Sequence, residues 1–297
     1  MSEHQDPMLL RLGHSPDPDD AFMWWPLLER DGEPARLASP RFRFEAVAED
    51  IETLNQRSMS GELEITAMSC AQYPHVRDRY VITACGASMG EGYGPKLVAR
   101  EPIDVRSLRD GDSVLAIPGE RTTAFATMSL MIGPGTFRYE VVPFEQVIER
   151  VAAGEFAAGL VIHEGQLTFK EAGLHLIADV GQWWSDRYEL PLPLGINTVR
   201  RDLDEIGGRG TLADITRLLL DSVRHALDHR DESIAYAMRF ARDMGEETAD
   251  AFVSMYVNRW TLDFGNTGRQ AVKVFLAELA AAGLTPTAEP LEFIAAT

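Results

Sequence analysis

The segment Ala158-Gly159-Leu160-Val161-Ile162-His163-Glu164-Gly165 sets an imidazole and a carboxylate directly after a short apolar run. Leu160 to Ile162 read as a strand covered on both faces, with Gly165 loosening the chain just beyond it. His163 then stands at a strand end, the edge of an open α/β sheet where ligands sit. Imidazole titrates near neutral pH, so His163 is placed to move a proton on a bound substrate. The plainer alternative is that His163 closes the strand end with a hydrogen bond while Glu164 opens the following helix.

Two further turns carry chemistry-bearing side chains. Gly13-His14-Ser15-Pro16-Asp17-Pro18-Asp19-Asp20 follows an apolar strand pattern and opens a helix, so Ser15 or Asp19 can bind ligand hydroxyls, although Ser and Asp are also favoured helix caps. The aspartate spacing matches no ordinary calcium loop and no histidine pair has zinc spacing, so no metal is expected. In Pro118-Gly119-Glu120-Arg121-Thr122-Thr123-Ala124, free N–H groups and the hydroxyls of Thr122 and Thr123 suit a carboxylate at a helix start. A threonine-capped helix accounts for the same residues. Gly90-Glu91-Gly92-Tyr93-Gly94 has dinucleotide-like glycines, but Pro95 opposes the helix that such a loop needs, and no cofactor is expected. Trp24-Trp25 and Trp183-Trp184 fit core and rim positions better than a stacking site.

These turns need a scaffold. The chain has 297 residues, 45% hydrophobic and 25% charged, enough for two packed lobes of an ordinary globular protein. A net charge of -18 argues against nucleic acid and against an anionic membrane surface. Met1 to Leu10 contain Glu3 and Asp6 and no apolar core of a secretory signal, and no apolar run approaches the roughly 20 residues of a spanning helix. Cys70 and Cys85 lack CxxC spacing and read as reduced, buried thiols, so a cytoplasmic location is expected.

Apolar runs alternate with helical patterns, which predicts an α/β fold with largely parallel strands. Strands are expected at 9–12, 42–48, 63–68, 96–99, 114–117, 139–142, 158–162 and 196–199. Helices are expected at 21–30, 51–59, 122–131 and 144–153, and later at 212–227, 233–242, 249–257 and 269–282. Crossings between lobes fall at the flexible Gly92-Tyr93-Gly94-Pro95 and at Pro191-Leu192-Pro193-Leu194-Gly195. One lobe then comprises 1–95 and 196–297, the other 96–195, with a cleft at the hinge.

Taken together, the three turns, Leu190-Pro191-Leu192-Pro193-Leu194-Gly195 and Tyr256-Val257-Asn258-Arg259-Trp260-Thr261-Leu262-Asp263-Phe264-Gly265 resemble the 1,4-dihydroxy-6-naphthoate synthase family of the futalosine route to menaquinone. The likeness runs over nearly the whole chain, and the His-Glu segment separates it from the sister family, chorismate dehydratase. The resemblance implies the two-lobed fold of type II periplasmic binding proteins and a small anionic ring substrate, cyclic dehypoxanthinylfutalosine. It implies His163 as general base, with Thr123, Ala124, Ala67, Met68 and Ser69 binding substrate and Ser15 and Thr122 beside them. The chain departs from that pattern at Ala67, where the family has lysine, and at Asp17-Pro18-Asp19-Asp20, where it has Cys-Pro-Asn-Asp. Lys96 or Arg121 is expected to supply the missing cation, unless the chain is a divergent branch with another ligand. The rival readings are a solute-binding protein or sensor for a small aromatic carboxylate, and a chorismate dehydratase; monomer and homodimer both stay open.

Overall fold

A computed structural model describes residues 6–109, 111–241 and 244–296. The first sheet gathers β1 (Met8–His14), β2 (Phe42–Ala48), β3 (Ile65–Ser69), β4 (Tyr80–Thr83) and β5 (Ser88–Gly90). The chain then crosses to a second sheet of β6 (Lys96–Ala99), β7 (Val114–Ile117), β8 (Arg138–Val141), β9 (Ala158–Val161) and β10 (His175–Asp179). It returns through β11 (Leu192–Arg200), and β12 (Phe293–Ile294) completes the first sheet. The strand orders are β12-β4-β11-β3-β1-β2, with β5 on β11, and β10-β6-β9-β7-β8.

The sheets are mixed rather than largely parallel. β1 runs parallel to β2 and β3, and β7 parallel to β8 and β9, as helical crossovers require. β6 is antiparallel to β9 and β10, and β11 to β3, β4 and β5. These two strands enter from the opposite sheet and not through a helical crossover, so the parallel constraint does not bind them.

Between the strands lie α1 (Pro18–Trp24), α2 (Ile51–Ser58), α3 (Thr123–Ile132), α4 (Phe144–Ala152), α5 (Gly165–Thr168) and α6 (Val180–Tyr188). After β11 come α7 (Leu203–Ile206), α8 (Thr211–Asp228), α9 (Arg230–Ala237), α10 (Glu246–Tyr256), α11 (Arg259–Leu262) and α12 (Gly265–Ala281). The helix expected to reach Arg30 stops at Trp24 and tightens into a 3-10 turn over Trp25–Leu27, because Pro26 cannot donate to a continuing helix. The helix expected to end at Arg242 is regular only to Ala237, with a 3-10 turn over Met238–Phe240; Arg242 lies outside the described residues.

Alternation along the second sheet explains why it needs helices on both faces. Leu97, Leu115, Ile117 and Leu160 pack with Met128 and Ile132 of α3. Their neighbours Val98, Ala116 and Val161 pack with Val147 and Val151 of α4 on the other face. α4 sits close over β9 because Gly159 has no Cβ: one built there would stand 2.6 Å from Val151 and 2.7 Å from Val147. Gly165 acts the same way and does not loosen the chain, since its Cβ would fall 2.4 Å from Val161.

The first crossing is also tight where flexibility was expected. A Cβ at Gly94 would lie 2.9 Å from Gly181 Cα, so the segment is pinned against the start of α6. β11 begins four residues before the expected strand, carrying Pro193 and a register shift between Pro193 and Gly195. Trp24, Trp25 and Trp184 are fully buried, as core residues should be.

Candidate active site

β9 ends at Val161, and His163 follows with φ +52°, a left-handed conformation uncommon outside glycine. Glu164 follows at the N-cap position of α5, without a side-chain capping bond. Phe144, first residue of α4, meets the imidazole edge-on at 4.8 Å. Nδ1 lies 2.8 Å from Asp17 Oδ2, and the same oxygen accepts from Ser15 Oγ at 2.6 Å. Asp17 occupies the N-cap position of α1 but makes no capping bond with its side chain, because the carboxylate is directed to Ser15 and His163. The Asp17–His163 pair thus joins the edges of the two sheets.

Its electrostatics follow from burial. Desolvation alone disfavours the imidazolium, but the Asp17 carboxylate outweighs it, with Glu164 adding to the effect, and the His163 pKa is pushed up to about 9. His163 therefore rests protonated at neutral pH and becomes a base only as it loses that proton. Asp20 accepts the Ser15 amide at 2.7 Å. Burial raises the Asp20 carboxyl above its ordinary value against the pull of His14, and raises Asp19 well above its own, with the Asp20 and Asp17 charges adding.

Opposite these groups, α2 and the start of α3 form the other wall. Ser69 ends β3 and is held twice by Asn55: its amide donates to Oδ1 at 2.9 Å, and its Oγ accepts from Nδ2 at 3.0 Å. Thr122 caps α3, its Oγ1 accepting from the Phe125 amide at 3.1 Å and donating to Gly119 O at 2.8 Å. Thr123 Oγ1 donates to Leu194 O at 2.7 Å and accepts from the Ala71 amide at 3.2 Å. Both threonine hydroxyls are thus already engaged. What this turn offers an anion is the Thr123 and Ala124 amides, which lie in the first helical turn where no intrahelical carbonyl reaches them.

One cleft, with about 720 Å³ of empty space including its opening to solvent, brings these groups together. Ser15, Ala67, Met68, Ser69, Thr122, Thr123, Ala124 and His163 all line it, as do Asp17, Asp19 and Asp20. Neither cation expected to replace the missing lysine does. Lys96 pairs with Asp179, while Arg121 reaches Gln72 at 3.2 Å and lines a separate groove. Sequence reasoning missed Asn197, Phe252 and the pair in which Tyr256 Oη donates to Gln166 Oε1 at 2.9 Å. Gln166 is three residues beyond His163, a spacing that could have flagged it; Asn197 left no comparable signal. Cys70 and Cys85 are buried free thiols outside the cavity, and burial pushes the Cys85 thiol up to about 12.

Comparison with known proteins places the chain in a family. A family model described as menaquinone biosynthesis matches residues 10–281. The 1,4-dihydroxy-6-naphthoate synthase of Thermus thermophilus is 40% identical over 284 residues, covering 95% of this chain and 98% of that one. The enzyme of the same name from Streptomyces coelicolor is 33% identical, covering 95% and 96%. A solved structure from Archaeoglobus fulgidus superposes with a TM-score of 0.80 at 37% identity, over 93% of this chain and 98% of that one. The alkanesulfonate-binding protein of Xanthomonas axonopodis shares the fold, with a TM-score of 0.68 at 11% identity over 97% and 99%. With the match spanning nearly the whole chain, the protein belongs to the menaquinone-biosynthesis family and has the periplasmic-binding-protein fold.

Proposed function

We propose that the protein is a carbon–carbon lyase that converts cyclic dehypoxanthinylfutalosine to 1,4-dihydroxy-6-naphthoate, with His163 as the base. The observation that carries this reading is the imidazole fixed through Nδ1 to Asp17 on the wall of the cavity. With Nδ1 committed, proton exchange with the substrate falls to Nε2, and Asp17 stabilises the imidazolium that forms. The proton that His163 removes returns to the departing fragment, so the two products balance the substrate. Aromatisation of the naphthoate ring offsets the cost of the broken bond.

The Thr123 and Ala124 amides receive the substrate carboxylate at the positive end of α3. Phe252 and Met68 supply apolar surface for the ring system. In this reading the lobes are 1–95 with 196–297 and 96–195, and the enzyme works in the cytoplasm on a free small molecule. Purified protein incubated with cyclic dehypoxanthinylfutalosine, and separately with chorismate, tests it by mass spectrometry. Formation of 1,4-dihydroxy-6-naphthoate is expected. Binding without turnover would favour a solute-binding role, and dehydration of chorismate the sister activity.

A further inference from the structure

Three carboxylates crowd the start of α1, and two of them are held by hydrogen bonds from other residues, whereas Asp19 accepts only from its own backbone amide. Asp17 accepts from Ser15 and His163, and Asp20 accepts the Ser15 amide. Asp19 lines the same cavity, is 8% exposed, and enters no hydrogen bond with another side chain among the described residues. The titratable groups facing it are Asp17 and Asp20 from its own turn, His163 from the end of β9 and Tyr256 from α10, while His14 on β1 faces Asp20.

Of the groups lining the cavity, His163 is the one cation, and it is paired with Asp17; no lysine or arginine among the described residues lines it. Three ionised carboxylates around one imidazolium in a buried cavity are unsustainable, because a desolvated charge without a partner takes up a proton instead. The amide donated by Ser15 favours the charged form of Asp20, which leaves Asp19 as the group that keeps its proton. Burial, then the Asp20 and Asp17 charges, raise the Asp19 carboxyl and outweigh the opposing His163 charge and the amide of Asp19 itself. Its O–H becomes a donor in a cavity whose other side-chain oxygens at this end are acceptors, since the Tyr256 hydroxyl is committed to Gln166.

We propose that Asp19 acts as a neutral carboxylic acid that donates a hydrogen bond to the ligand oxygen where negative charge accumulates as His163 removes a proton. This role deepens the lyase reading and rests on it. No bond to Asp19 forms or breaks; its O–H stabilises the developing oxyanion, as preorganised donors do. Loss of the Asp19 proton at high pH removes the donor and sets a second negative charge against the ligand.

The test compares wild type, Asp19→Asn and Asp19→Ala, with folding checked by melting temperature, in turnover of cyclic dehypoxanthinylfutalosine across pH. Asp19→Ala is expected to lower kcat by about 100-fold or more, the loss typical of one oxyanion donor. Asp19→Asn keeps an N–H donor that cannot ionise; it should lose about tenfold or less and lack the decline of kcat/KM at high pH. A kcat for folded Asp19→Ala close to wild type, or Asp19→Asn as inactive as Asp19→Ala, overturns the role. Difference infrared spectra of wild type minus Asp19→Asn at neutral pH should show the carbonyl stretch of a protonated carboxyl group. Its absence overturns the proposal as well. If wild type itself fails to turn over, the lyase reading falls, while the infrared arm still decides whether Asp19 is protonated.

Discussion

At the residue scale, the Asp17–His163 pair sets how the site responds to pH. The imidazolium gains a carboxylate partner, so the proton leaves near pH 9 and not near 6.5. Because a base must first be unprotonated, kcat/KM should rise with pH over the range below that value. Asp17→Asn removes the charge that raises the pKa, so its rising limb should move to lower pH by about one unit or more, while maximal turnover falls as the ring loses its orienting partner. An unshifted limb in Asp17→Asn would show that another group governs the profile. His163 was legible in sequence because an apolar run broken by His-Glu marks a strand end. Its partner was not, because Asp17 and His163 meet only when separate sheets come together, and a helix-capping role for Asp17 explained the local sequence equally well.

At the scale of elements, the position of His163 depends on how closely α4 lies over β9. Gly159 permits that approach, and Phe144 at the head of α4 touches the imidazole. Gly159→Val should force α4 outward, costing about 1 to 3 kcal/mol of stability and lowering kcat more than it changes product affinity. Denaturant unfolding together with steady-state kinetics checks this; a stable variant with native kcat would mean that helix placement does not control the base. Runs such as Lys96–Ala99 and Val114–Ile117 end in the structure where their composition ends, since both faces of these strands are covered, and Phe42–Ala48 is legible by its alternation of buried Phe42 and Phe44 with exposed Arg43 and Glu45. β10 and β12 escaped notice for opposite reasons. β10 carries only the three-residue apolar run Leu176-Ile177-Ala178 between His175 and Asp179 and is exposed or half-buried throughout, and β12 is two residues long, so neither leaves a run long enough to stand out. The threonine turn shows a different limit: sequence placed Thr122 and Thr123 at a helix start, but could not say that their hydroxyls would be engaged by Gly119 and Leu194.

At the scale of the whole molecule, polar contacts bridge the cavity. Glu52 accepts the Arg121 amide at 3.1 Å, Asn55 donates to Arg121 O at 3.3 Å, and Thr123 bonds both Leu194 and Ala71. With Asp17–His163 and Tyr256–Gln166, these bonds tie the two sides of the cavity together. Each is worth about 1 kcal/mol net, so together they are comparable to the differential binding energy that shifts a two-state hinge. Small-angle scattering should therefore give a larger radius of gyration without ligand than with saturating 1,4-dihydroxy-6-naphthoate; equal radii despite confirmed binding would count against opening. Two-lobed architecture was foreseeable from the paired crossings, whereas the tightness of the first crossing depends on Gly94 meeting Gly181 across the fold. The central claim is that His163 removes a proton from a substrate that the rest of the cavity binds. Its most direct test is the turnover of cyclic dehypoxanthinylfutalosine by His163→Ala, measured beside its affinity for product. The account predicts turnover reduced by at least about 100-fold with affinity held within about tenfold; near-native turnover would contradict it.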